Sequence, residues 1–240
     1  MSLIVTLFVP EGIVLSGDSR LTLNWKEKKS KGEDINYSIN GSDSTNKIFN
    51  IKNRFALGTF GAADIKGIPI AGFINEFIEE KIDDNTEIDE IPNKLQDFFG
   101  VKHNFPRVNF YISGYKIENS ISVQHVYHVD IAKKSINQVN KTNGKSFFGA
   151  NWGGEIETLS RLISNVKIKR GTDWKDITAS PILYNFFTLQ DAIDFCEYAI
   201  HTTINTLRFQ RRIKTVGGPI DTLIIRPDKG VSWISRKELK

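Results

Sequence analysis

Cysteine is all but missing. Cys196 is the only one in 240 residues, which excludes an intramolecular disulfide and any thiolate metal cluster. It lies in DAIDFCEYAI among apolar helix positions, the setting of a small core residue. Histidine is scarce as well: there are four, and His125 and His128 stand an odd number of residues apart, on opposite faces of a strand. Neither a metal nor another cofactor is expected. Long apolar runs are absent too, since LIVTLFV and IDTLIIRP are strand-sized and end in turn residues. The start has no basic segment followed by a long apolar stretch, so a cytoplasmic protein without a signal peptide or membrane partner is expected. Neither sign of charge dominates: 32 Lys and Arg stand against 28 Asp and Glu, a net +4, with a pI near 9.0. That balance permits only weak attraction to acidic partners. No GxxxxGK[ST] loop and no GxSxG elbow occur, and Gly217-Gly218 precedes a strand instead of opening a helix, so nucleotide binding has little support.

The length and the 40% hydrophobic content suit one domain with a substantial core. Leu3 to Val9 and Ile13 to Ser19 are β-branched apolar segments joined by Pro10, Glu11 and Gly12, the composition of a hairpin. Asn24 to Asn46 is polar, reading as an exposed excursion with a short strand over Tyr37 to Ile39. Lys47 to Ile51 and Phe55 to Phe60 form a second strand pair. Ile70, Phe73, Ile74, Phe77 and Ile78 then recur at helical spacing, and a second helix is expected over Glu87 to Phe99. Strands return at Val108 to Tyr115, Ser122 to Ile131 and Ser146 to Ala150, the last behind an Asn143-Gly144 turn. Helices over Glu155 to Asn165 and Leu189 to Arg211 precede final strands at Ile220 to Arg226 and Val231 to Ser235. Segregated runs of strands and helices point to helices packed outside antiparallel sheets, an α+β fold.

The candidate chemistry sits at the beginning. An initiator methionine is removed when the next residue is small, which would make Ser2 the first residue with a free α-amine beside its hydroxyl. A hydroxyl is a poor nucleophile near neutral pH unless a base takes its proton, and an α-amine titrating at about 7.7–8.0 suits that task. One residue would supply both groups.

EGIVLSGDSR, KIFNI and GTFGAAD, in that order, resemble the proteasome β-subunit family and its bacterial relatives HslV and Anbu, which are N-terminal nucleophile hydrolases. Counting back from Asp18 without a gap puts Ser2 on the family's catalytic position. The resemblance extends to Asp18 in LSGDSR and to Lys47 in the K-I-x-x-I stretch, reached after a longer excursion than usual. It implies that Lys47 raises the local positive potential and Asp18 holds Lys47. Gly61 is the best match for the backbone N–H of the oxyanion hole. Toward the C-terminus the match thins. The Ser-Gly pair expected before the third helix finds only Ala150-Asn151. The D-x-x-S-G-G motif falls on IKTVGGPID, with Ile213 and Val216 in one register or Arg212 and Thr215 in the next. Neither register restores the carboxylate.

The resemblance implies a four-layer αββα sandwich and a serine peptidase or amidase that acts on a peptide or amide through an acyl-enzyme on Ser2. It also implies a homo-oligomer, a ring or helical array. A catalytically silent assembly subunit of the same fold is the main alternative. A binder of nucleic acid or acidic partners, using KEKKSK with Arg208, Arg211 and Arg212, is the lesser one.

Overall fold

The computed structural model describes residues 2–28 and 34–238. Met1 and positions 29–31 of the basic KEKKSK stretch lie outside the described residues. The chain opens as expected with a hairpin of β1 (Leu3–Val9) and β2 (Gly12–Asp18), buried at every position. The polar excursion is not irregular. It folds into a hairpin of its own, β3 (Leu21–Lys28) with β4 (Asp34–Ser42), where Trp25 stacks on Tyr37 across the strands. Next come β5 (Ile48–Ile51), β6 (Phe55–Gly61), the two-residue strands β7 (Asp64–Ile65) and β8 (Ile68–Pro69), and helix α1 (Ile70–Lys81).

Helix α2 (Ile91–Asp97) starts four residues later than its periodicity suggests, because Pro92 must lie in the first turn where no N–H is required of it. A π-type turn over Phe98–Lys102 continues it and buries both Phe98 and Phe99. After β9 (Val108–Glu118), β10 (Ile121–Asp130) and β11 (Ser135–Gln138), the Asn143-Gly144 turn joins β12 (Lys141–Thr142) to β13 (Lys145–Ser146), both turn residues having positive φ. The strand expected at Ser146 to Ala150 is β14 (Gly149–Gly154), and the following helix is shorter than expected, α3 (Glu157–Ile163). A hairpin that periodicity did not suggest, β15 (Val166–Arg170) with β16 (Asp173–Ile177), leads to α4 (Leu189–Phe209), which starts at a Thr188–Asp191 capping box. Strands β17 (Ile220–Arg226) and β18 (Gly230–Ser235) close the described chain.

Two five-stranded antiparallel sheets carry the structure, in the orders β14-β1-β2-β17-β18 and β11-β10-β9-β6-β5. Three apolar clusters hold them. One joins the second sheet to α1 and α2 through Ile74, Phe77, Leu95 and Phe110. Another joins the first sheet to α3 and α4 through Leu3, Val5, Leu159 and Cys196, so the lone cysteine is a core residue. The third lies between the sheets and includes Ile4, Leu15, Ile48 and Ala56. Strand β1 therefore contributes alternate residues to two different clusters, which explains why it is apolar on both faces except at Thr6. No described helix is long and apolar enough to cross a membrane.

Candidate active site

Ser2 stands at the mouth of β1, a strand paired on both sides, and is only 8% exposed. The β1–β2 register sets Ile4 opposite Gly17, which brings the end of β2 beside the start of β1. Asp18 is thereby placed at the main chain next to Ser2. Its Oδ1 accepts the Leu3 N–H at 2.9 Å and the Lys47 ammonium at 2.8 Å. Its Oδ2 accepts the N–H groups of Arg20 at 3.1 Å and Gly217 at 3.0 Å. Four donors converge on one buried carboxylate, which is fixed in position and charge-balanced by Lys47.

Lys47 arrives from the other sheet, one residue before β5, so the ion pair bridges the two sheets. Its Nζ also donates to the Arg20 carbonyl at 2.6 Å. Burial pushes the Lys47 ammonium below its ordinary range, the charge of Lys237 adds to that, and Asp18 and Asp43 oppose it. The approach to Lys47 is tied down by Arg20, which grips Asp43 with two bonds of 2.6 and 2.7 Å, and by the Thr45 N–H bond to the Ser19 carbonyl. The hydrogen bond from Arg20 holds Asp43 below the usual carboxylate range.

Ser2 and Lys47 share a pocket with Thr22, Thr59, Phe60 and Ala62. Its open interior is about 20 Å³, room for roughly one water. Larger hollows occur elsewhere, about 390 Å³ beside Trp233 and about 430 Å³ beside Val101. Neither is lined by a hydroxyl or thiol; hydroxyls do line two hollows of about 250 and 220 Å³, at Ser122 and Ser146 and at Thr158 and Thr202, but only the Ser2 pocket sets a hydroxyl beside a buried lysine. Gly61, the expected oxyanion donor, ends β6 at φ +102°, where an added Cβ would lie 2.5 Å from the Arg107 carbonyl oxygen. Its neighbours Phe60, Ala62 and Ala63 line the pocket, while Gly61 itself does not.

Sequence reasoning assigned no carboxylate to the C-terminal side of the site, and the structure supplies one from another element. The Glu155 side chain is buried, and its Oε2 accepts the Thr215 hydroxyl at 2.8 Å and Arg212 Nη2 at 2.6 Å. Its backbone N–H donates to the Ser2 carbonyl at 2.8 Å. Of the two alignments of IKTVGGPID, the one that places the hydroxyl on Thr215 and Arg212 three residues before it matches this contact. That contact also engages one of the three arginines considered for nucleic-acid binding. His125 is likewise committed elsewhere, bonded to Glu118 at 2.7 Å and Tyr127 at 2.9 Å.

Gly154, just before Glu155, has φ +98°, and a Cβ there would fall 1.7 Å from the Ser2 carbonyl oxygen. Gly154→Ala is accordingly expected to cost about 3 kcal/mol, from the strained backbone and from displacing the start of β1. Urea denaturation measures it; a loss below about 1 kcal/mol would show that the site tolerates movement of Ser2. No protein-family model matches the chain, and no curated protein matches it.

Proposed function

We propose that the protein is an N-terminal serine hydrolase of the proteasome-like type, with an αββα sandwich fold, that cleaves a peptide or amide bond. The observation that carries this reading is the buried Asp18–Lys47 pair bonded to the first N–H of β1, directly beside Ser2. The three apolar clusters, helix against sheet, sheet against sheet and sheet against helix, support the sandwich.

In this reading Met1 is removed and the Ser2 amine takes the Oγ proton as Oγ attacks the carbonyl carbon. The positive charge of Lys47 favours the neutral amine and the developing alkoxide, and backbone N–H groups near Gly61 receive the oxyanion. The amine returns the proton to the leaving nitrogen as the C–N bond breaks. Water, deprotonated by the same amine, then cleaves the ester and frees Ser2. A homo-oligomer belongs to the same reading.

Intact-mass measurement tests it. The chain beginning at Ser2, treated with an electrophile that captures N-terminal nucleophiles, is expected to gain one adduct, and Ser2→Ala none. A wild type that gains no adduct sinks the enzyme reading. The small pocket volume would then favour the silent assembly subunit.

A further inference from the structure

A ring of hydrogen bonds encloses Ser2. The Ser2 carbonyl accepts Glu155 N–H, Glu155 Oε2 accepts Thr215 Oγ1, Gly217 N–H two residues on donates to Asp18 Oδ2, and Asp18 Oδ1 accepts Leu3 N–H. Half of this ring is the Asp18–Lys47 pair already described. The other half, Glu155 with Arg212, has no role in the reaction as stated above, yet it buries a carboxylate on the residue whose backbone N–H binds the carbonyl of the nucleophilic residue. Burying a charge is costly unless something repays it, and an isosteric apolar pair would serve packing alone equally well. Glu155 Oε1 accepts no bond among the described residues, which leaves an acceptor free on the residue whose backbone is bonded to Ser2.

We propose that Glu155 is a positioning residue for the Ser2 amine: its carboxylate orients the amine and steadies the ammonium that forms when the amine takes the Oγ proton. Arg212 is its counter-charge, and Thr215 fixes its rotamer. The site thus holds two opposed ion pairs, Lys47 with Asp18 and Arg212 with Glu155, whose effects on the amine are of opposite sign. Lys47 favours the neutral form and Glu155 the protonated form. The inference rests on Ser2 as nucleophile. Other charges near the site are Glu157, whose Oε2 lies 4.0 Å from Arg212 Nη1, and the Arg20–Asp43 and Lys237–Asp221 pairs, each internally balanced.

The test reads the amine and the hydroxyl separately, on the full chain beginning at Ser2. Trace acetylation with acetic anhydride across a pH series, followed by peptide mass spectrometry, gives the pH midpoint of the Ser2 amine whether or not the protein is an enzyme. In Glu155→Gln the midpoint is expected to fall by roughly one pH unit, the scale of one nearby charge, and in Arg212→Gln to rise. Arg212→Lys is expected to stay near wild type. In parallel, the rate of electrophile adduct formation on Ser2 should fall at least roughly tenfold in Glu155→Gln, in line with the loss of an orienting group. A residue with only a structural role would change stability without moving the midpoints in opposite directions. If Glu155→Gln does not fold, the rise in Arg212→Gln decides the matter alone. Midpoints unmoved in every folded variant overturn the assignment. Midpoints that move as stated in a protein whose wild type forms no adduct overturn the hydrolase reading instead, and keep Glu155 as the partner of the amine.

Discussion

Asp18→Ala is expected to lower stability by about 3–5 kcal/mol, the scale for stripping one partner from a buried ion pair. The structure gives the reason in detail. The substitution leaves the Lys47 ammonium without its counter-charge at a site where the lysine side chain is 5% exposed. It also orphans the N–H groups of Leu3, Arg20 and Gly217, which belong to three separate parts of the chain. Little of the loss should be recovered by salt, because ions do not screen a buried pair effectively. Asp18→Asn keeps one carbonyl acceptor and is expected to lose less. The double variant Asp18→Ala with Lys47→Met is expected to be more stable than Asp18→Ala alone, since it removes the uncompensated charge. Urea denaturation of wild type, Asp18→Ala, Lys47→Met and the double variant at neutral pH measures the cycle, with Asp18→Asn measured beside them. A loss under about 1 kcal/mol for Asp18→Ala would mean that water reaches Lys47 freely, and that the pair is not the closed unit its burial indicates.

Ser2, Asp18 and Lys47 were singled out through the resemblance of LSGDSR and the K-I-x-x-I stretch, and the structure brings Asp18 and Lys47 into one buried ion pair beside Ser2: Asp18 shares a hairpin with Ser2, and Lys47 directly precedes β5 of the second sheet. Glu155 was not legible. Placed just before Glu157 at the start of α3, it reads as an acidic residue favoured by the helix dipole, a sufficient local explanation that hides the long-range one. Its partners Arg212 and Thr215 lie 57 and 60 residues away, and a partner at such a distance leaves no mark on periodicity.

The same contrast runs through the fold. Strands buried on both faces, such as β1, β2 and β17, announce themselves by short apolar runs, Leu3 to Val5, Ile13 to Leu15 and Leu223 to Ile225. The β15–β16 hairpin is exposed along almost its whole length, so KIKRGTDWKDI carries no burial pattern to read. In β3–β4 a true alternation was present, Leu21, Leu23 and Trp25 on one strand and Tyr37 and Ile39 on the other. The lysines and asparagines between them outnumbered it.

Lys47→Met is the complementary experiment, and its expected effect falls on rate instead of stability. Asp18 keeps three backbone N–H donors when the ammonium is gone, and a carboxylate accepting several such bonds is well held without a cation. The variant should therefore unfold at a urea concentration much closer to wild type than Asp18→Ala does. The Ser2 amine and hydroxyl, however, lose the positive charge that favours their deprotonated forms, so electrophile labelling of Ser2 is expected to slow by roughly 10²–10³-fold, the scale of removing one electrostatic stabiliser from an active site. Lys47→Arg should restore little of it, because the planar guanidinium cannot donate to both Asp18 Oδ1 and the Arg20 carbonyl from the space that a single ammonium fills. The pH profile separates this from simple disorder. Burial lowers the lysine's titration from its ordinary value, so in the wild type the labelling rate should fall as pH rises through a point below that of a free lysine. In Lys47→Met that alkaline limb should be missing. A variant that labels within about threefold of wild type, with the limb intact, would remove Lys47 from the chemistry and leave it only as the cation that holds Asp18.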